Sequence, residues 1–108
     1  MVRVKSHEDD IVVESTVEGE RATVVVRGEL DVSTRRTLFD ALVALVATGV
    51  DTMTIDLSGV PFLDSSGLSA LFEVRSMGVA LTLRNPSPPV RRILDLVVIE
   101  GLIAIEDV

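Results

Sequence analysis

The chain's 108 residues, 47 % hydrophobic and 25 % charged, suffice for one buried core and are too apolar for a disordered segment. Lys and Arg number 10 against 17 Asp and Glu; the formal charge of −7 repels a phosphate backbone, and 3 % aromatic residues without Trp or Tyr offer no base-stacking surface, so direct nucleic-acid binding is not expected. The absence of cysteine excludes disulfides, iron–sulfur clusters and thiol nucleophiles, and fits a reducing, cytoplasmic setting.

Residues 1–10 are polar, hold the lone His7, lack the apolar run of a signal peptide and read as a frayed end; the domain is expected over 11–108. Ile11 to Val17 and Thr23 to Leu30 are rich in Val and Thr, and Glu18-Gly19-Glu20-Arg21 between them predicts a hairpin. Leu38, Leu42, Leu45 and Val46 then recur at helical spacing, predicting a helix over Thr34 to Ala47 with Ser33 or Thr34 as its N-cap and Gly49 beyond its end. Met53 to Leu57 reads as a strand. Leu68, Leu71, Phe72 and Arg75 predict a second helix that starts at Ser65 or Ser66 and stops at Gly78.

Val79 to Leu83 is the next strand. A third helix opens at Pro88-Pro89, where proline is tolerated, and places Val90, Ile93, Leu94 and Val97 on one face, with Gly101 as its C-cap. Leu102 to Ile105 closes the chain as a strand. The order ββαβαβαβ predicts one α/β domain: a mixed sheet of about five strands with helices packed against it. Phe39, Phe62, Phe72, Met53 and Met77 are expected in or near the core, whereas Arg91 and Arg92 are expected on a solvated helix face. The longest apolar stretches, such as Ala41 to Ala47, fall far short of the ~20 residues of a membrane span.

Catalytic constellations are missing. One histidine cannot supply a triad held by a rigid shell or a zinc site, and no phosphate-cradling glycine motif occurs. An enzyme, a metal site and a cofactor are therefore not expected. The specified part is Asp56-Leu57-Ser58-Gly59-Val60-Pro61-Phe62-Leu63-Asp64-Ser65-Ser66-Gly67-Leu68, where a strand ends, a loop follows and a helix begins. On spacing alone Asp64 and the serines are helix caps. A sharper reading notes two consecutive hydroxyls at the positive end of a helix, where a phosphoryl group gains ~0.3–1 kcal/mol per contact.

Three blocks together resemble the STAS domain of the anti-sigma factor antagonist family: Gly28-Glu29-Leu30-Asp31, the segment Asp56 to Leu68, and Pro89-Val90-Arg91-Arg92-Ile93-Leu94-Asp95-Leu96 with Gly101-Leu102 beyond. They span almost the whole chain, and the middle block is the specific one. The sequence departs from the family pattern in a short stretch between Gly67 and Gly78 and in an apparent insertion at Val97-Val98-Ile99.

The resemblance implies a phosphorylation switch. The unmodified antagonist binds an anti-sigma factor that is also a serine kinase, and so frees a sigma factor. Phosphorylation ends binding, and a serine phosphatase restores it. The family's phosphorylated serine falls on Ser65, with Ser66 the neighbouring candidate. The expected partner surface comprises Gly28, Glu29, Asp31, Asp64, Ser65, Ser66, Gly67 and Leu68. A competing reading of the same fold is an accessory subunit of a membrane transport system.

Overall fold

The computed structural model describes residues 2–8, 11–97 and 103–108. Its elements are β1 (Val2–Glu8), β2 (Ile11–Glu18), β3 (Arg21–Arg27), α1 (Arg35–Ala47), β4 (Thr52–Gly59), α2 (Ser65–Arg75), β5 (Ala80–Arg84), α3 (Pro88–Val97) and β6 (Ala104–Glu106). The strands lie side by side in chain order. β1, β2 and β3 are antiparallel, and the β3–β4, β4–β5 and β5–β6 pairs are parallel. Each parallel pair is joined through a helix, as a crossover requires.

The sheet therefore has six strands where the sequence predicts about five. The added strand is β1, in the segment expected to be frayed. Its polar composition suggested a loose end, yet Val2 and Val4 alternate with Arg3 and Lys5 at the period of a strand. Pairing Val2↔Val17 through Glu8↔Ile11 also supplies hydrogen-bond partners to the outer edge of β2. Composition does not reveal that demand.

Strand alternation builds one core. Ile11 and Val13, Ala22, Val24 and Val26, Met53, Ile55 and Leu57, and Leu81 and Leu83 are buried, and the registers Ala22↔Met53↔Leu81 and Val24↔Ile55↔Leu83 put them on one face. Leu38, Leu42 and Leu45 of α1, Leu71 and Val74 of α2, and Val90 and Leu94 of α3 complete the cluster. The other face holds Thr16, Thr23, Thr54 and Thr82, aligned across β2–β5 and partly or wholly exposed.

The three helices occur where their apolar spacing predicts them. Gly49 and Gly78, at φ +102 and +90, lie just beyond α1 and α2, a conformation that a side chain would strain. Among the sulfur and aromatic side chains, Met53 is fully buried, and Phe39 and Phe72 pack half-buried against the core. Met77 and Phe62, expected in or near the core, are instead exposed, at 47 % and 44 %. Met77 lies in the turn after α2, where Val74 and Val79 take the inward positions; around Phe62, Val60 and Leu63 do so.

Arg92 is exposed, as expected, and Arg91 is partly exposed, reaching Asp95 at 3.1 Å and Asp107 at 2.9 Å. Gly101, Leu102 and the Val98-Ile99 part of the apparent insertion lie outside the described residues. Among the described residues no helix is long and apolar enough to cross a membrane.

Candidate functional site

Two loops are zipped together at the C-terminal ends of β3 and β4. The Gly28 N–H donates to the Gly59 carbonyl (3.1 Å), the Leu30 N–H to Phe62 (3.0 Å), and the Asp64 N–H to Leu30 (3.1 Å). A parallel bridge Leu30↔Leu63 accompanies these bonds, and both leucines are fully buried. The zipper brings the start of α1 beside the start of α2.

An aspartate caps each turn. Asp64 Oδ1 accepts from the Ser66 and Gly67 N–H groups at 2.8 and 3.1 Å. Asp31 Oδ1 accepts from the Ser33 N–H (2.9 Å), the Ser33 hydroxyl (2.7 Å) and the Thr34 N–H (3.2 Å). The Ser33 hydroxyl bond is the largest influence holding the Asp31 carboxyl below its usual range. Thr34, an expected N-cap, occupies the N-cap position of α1 without capping it through its side chain; its hydroxyl donates to the Glu29 carbonyl (2.6 Å) and accepts from the Asp31 N–H (3.1 Å).

The zipper gathers most of the residues expected from the sequence. Ser65 is the first residue of α2 and is exposed; Glu29 is exposed, and Gly28, Asp31, Asp64 and Ser66 are partly so. Gly67 and Leu68, expected on the contact surface, are buried. A β-carbon on Gly67 would stand 2.7 Å from the Leu30 carbonyl oxygen, so the missing side chain lets the two loops approach. Leu68 faces the core, as the apolar spacing of α2 requires.

Three residues here escaped the sequence reading. Val32 is 74 % exposed in the turn before α1, and with Phe62 it sets large apolar side chains on both zipped loops. An apolar residue inside an Asp-x-Ser-Thr capping turn was the available signal for Val32. Arg35 is the third: its Nε donates to the Ser66 carbonyl (3.3 Å) and its terminal nitrogen to Glu73 (3.0 Å). Nothing in the sequence signals a pairing across 38 positions. Among the described residues no group of three or more His, Asp or Glu could hold a metal. The ensemble is an exposed hydroxyl, apolar side chains and carboxylates on a hydrogen-bonded base, which suits recognition.

A sequence profile described as "Mlab, STAS domain" matches residues 13–104. The chain belongs to the STAS-domain family. Among solved structures, this STAS domain superposes on an anti-sigma factor antagonist from Mycobacterium paratuberculosis with a TM-score of 0.75 and 30 % identity, over 93 % of this chain and 88 % of that one. The anti-sigma factor antagonist SpoIIAA in its unphosphorylated form gives 0.69 and 21 %, over 87 % of each chain. The Bacillus cell fate determinant SpoIIAA in its phosphorylated form gives 0.63 and 21 %, over 87 % of this chain and 90 % of that one. No curated protein sequence matches significantly. The STAS domain thus sits among the anti-sigma factor antagonists, with six strands in its sheet.

Proposed function

We propose that this STAS domain is a cytoplasmic anti-sigma factor antagonist switched at Ser65. Unmodified, it docks on an anti-sigma factor and releases a sigma factor. An anti-sigma factor with serine kinase activity moves the γ-phosphoryl group of ATP to the Ser65 oxygen, releasing ADP and the hydroxyl proton. A serine phosphatase hydrolyses the ester back to serine and phosphate. The observation that carries the reading is an exposed Ser65 at the start of α2, on a loop zipped through Gly28 and Leu30 to the turn that holds Glu29 and Asp31. The relative named as an anti-sigma factor antagonist at 30 % identity supports it.

The docking surface consists of Gly28, Glu29, Asp31, Asp64, Ser65 and Ser66, with Val32 and Phe62 as its apolar contacts. Phosphorylation adds about −1.5 to −2 charges beside Asp64. Desolvating that charge against a fitted partner costs several kcal/mol, and each ~1.4 kcal/mol is tenfold in affinity. Calorimetry against the cognate anti-sigma factor tests this. Ser65→Ala should fold and bind like the unmodified protein, and Ser65→Asp should fold but bind at least ~10-fold more weakly. Equal affinities would return Asp64-Ser65-Ser66-Gly67 to a simple helix start.

A further inference from the structure

Phosphate on Ser65 would meet a helix start whose Ser66 and Gly67 N–H groups are already engaged. The Asp64 carboxylate already accepts from the Ser66 and Gly67 N–H groups, so the start of α2 offers the modification a neighbouring negative charge. Among the described residues, Arg35 is a cation that reaches this turn. Its backbone N–H donates to the Asp31 carbonyl at 2.9 Å, which fixes its base beside the zipped loops. Its Nε rests on the Ser66 carbonyl, one residue from Ser65, while its terminal nitrogen pairs with Glu73.

Helical spacing aligns the two competitors. Ser65, Ser69 and Glu73 stand at i, i+4 and i+8 of α2 and share a face. The Arg35 Nε meets the Ser66 carbonyl in the first turn of α2, while its terminal nitrogen reaches Glu73 further along the same helix. Glu73 is 48 % exposed and bonds Arg35 through one nitrogen, an arrangement of small net strength. A phosphoserine offers about −1.5 to −2 charges and three acceptor oxygens, to which a guanidinium fork can donate twice.

We propose that Arg35 is a latch for the modified state: on phosphorylation of Ser65 its guanidinium leaves Glu73 and pairs with the phosphate. The proposal rests on Ser65 being the switch. The exchange turns a bridge between α1 and α2 into a bridge between α1 and the modified serine. It also moderates the charge that the phosphorylated loop presents to a partner or phosphatase.

Phosphoserine installed at position 65 during translation tests the latch without any kinase, with phosphorus NMR following its second ionisation in the full chain. Four proteins form a cycle: the otherwise unchanged chain, Arg35→Gln, Glu73→Gln and the double variant. Asp31, Asp64, Glu29 and Arg36 are common to all four, so their fields cancel. The second phosphate pKa, ordinarily about 6, should lie at least ~0.5 lower with Arg35 present than in Arg35→Gln.

Glu73→Gln should lower it further, and by more with Arg35 present than with Gln at 35, because only there does it release the guanidinium. Coincident titrations with and without Arg35 would overturn the latch, as would equal effects of Glu73→Gln in both backgrounds. Should Arg35→Gln fail to fold, Arg35→Met, which keeps the apolar stem without the charge, takes its place in the cycle with the same expected and overturning results. Phosphosite mapping from cells is read separately. Phosphate missing from Ser65 there removes the switch and leaves the titration result standing.

Discussion

At Gly67 the place of a β-carbon is occupied by another loop, with the Leu30 carbonyl oxygen at 2.7 Å and the Leu30 β-carbon at 2.8 Å. Gly67→Ala must push the zipper apart and should cost about 1–3 kcal/mol, the range for overpacking a buried site. Urea unfolding measures it; a loss below ~0.5 kcal/mol would mean that the loops yield freely. Asp31 has the complementary role of holding its own turn by hydrogen bonds. Its folded-state ionisation lies below that of an unfolded aspartate, chiefly through the Ser33 hydroxyl. The stabilisation linked to it is present above the unfolded value and is lost as pH falls through the lower folded value. Ser33→Ala should raise the Asp31 carboxyl toward its usual range, read by carbon NMR of the side chain; an unmoved titration would show that backbone donors alone suffice.

Among the elements, α3 and β6 show which contacts hold the C-terminal part in place. Arg91 bonds Asp95 and Asp107, and Arg84 pairs with Glu106 at 2.6 Å. These side chains are all 35 % exposed or more. Exposed pairs contribute little because water screens them. Val90 and Leu94, by contrast, are fully buried. Leu94→Ala should cost about 2–5 kcal/mol, the range for a buried leucine whose cavity collapses incompletely. Asp107→Asn should stay within ~0.5 kcal/mol. Thermal unfolding of both variants tests the ranking, and comparable losses would assign the C-terminal strand to electrostatics.

On the scale of the whole molecule, the Cα radius of gyration of 12.5 Å matches the ~13 Å of a single domain of ~100 residues. The net charge of −7 spreads a negative field around it, and the proposed docking surface concentrates Glu29, Asp31 and Asp64 around Val32 and Phe62. On that proposal the surface should select a partner with positive charge around an apolar depression. Charge-steered encounters slow as salt shortens the screening length from ~30 Å at 0.01 M to ~8 Å at 0.15 M. The association rate constant with the anti-sigma factor, measured by stopped flow, should fall several-fold over that range. An unchanged rate would leave the apolar pair to guide docking alone.

Local chemistry made most of the fold legible. Helical spacing located α1, α2 and α3, runs rich in Val and Thr and other short β-leaning runs located β2 to β5, and Asp64-Ser65-Ser66-Gly67 marked the start of α2, because these signals act between residues near in sequence. The sequence by itself also brought Ser65 and Gly28 to Asp31 into one reading, through the pattern they share with a family. Tertiary structure decided the rest. Whether residues 2–8 pair depended on the edge that β2 left open; whether Phe62 and Met77 were buried depended on which neighbours took the inward positions. Gly67 proved to be a packing residue because Leu30, 37 positions earlier by their numbering, fills the space beside it. Arg35 reached Ser66 and Glu73 because α1 and α2 start side by side. Each depends on distances between residues remote along the chain, which packing alone sets.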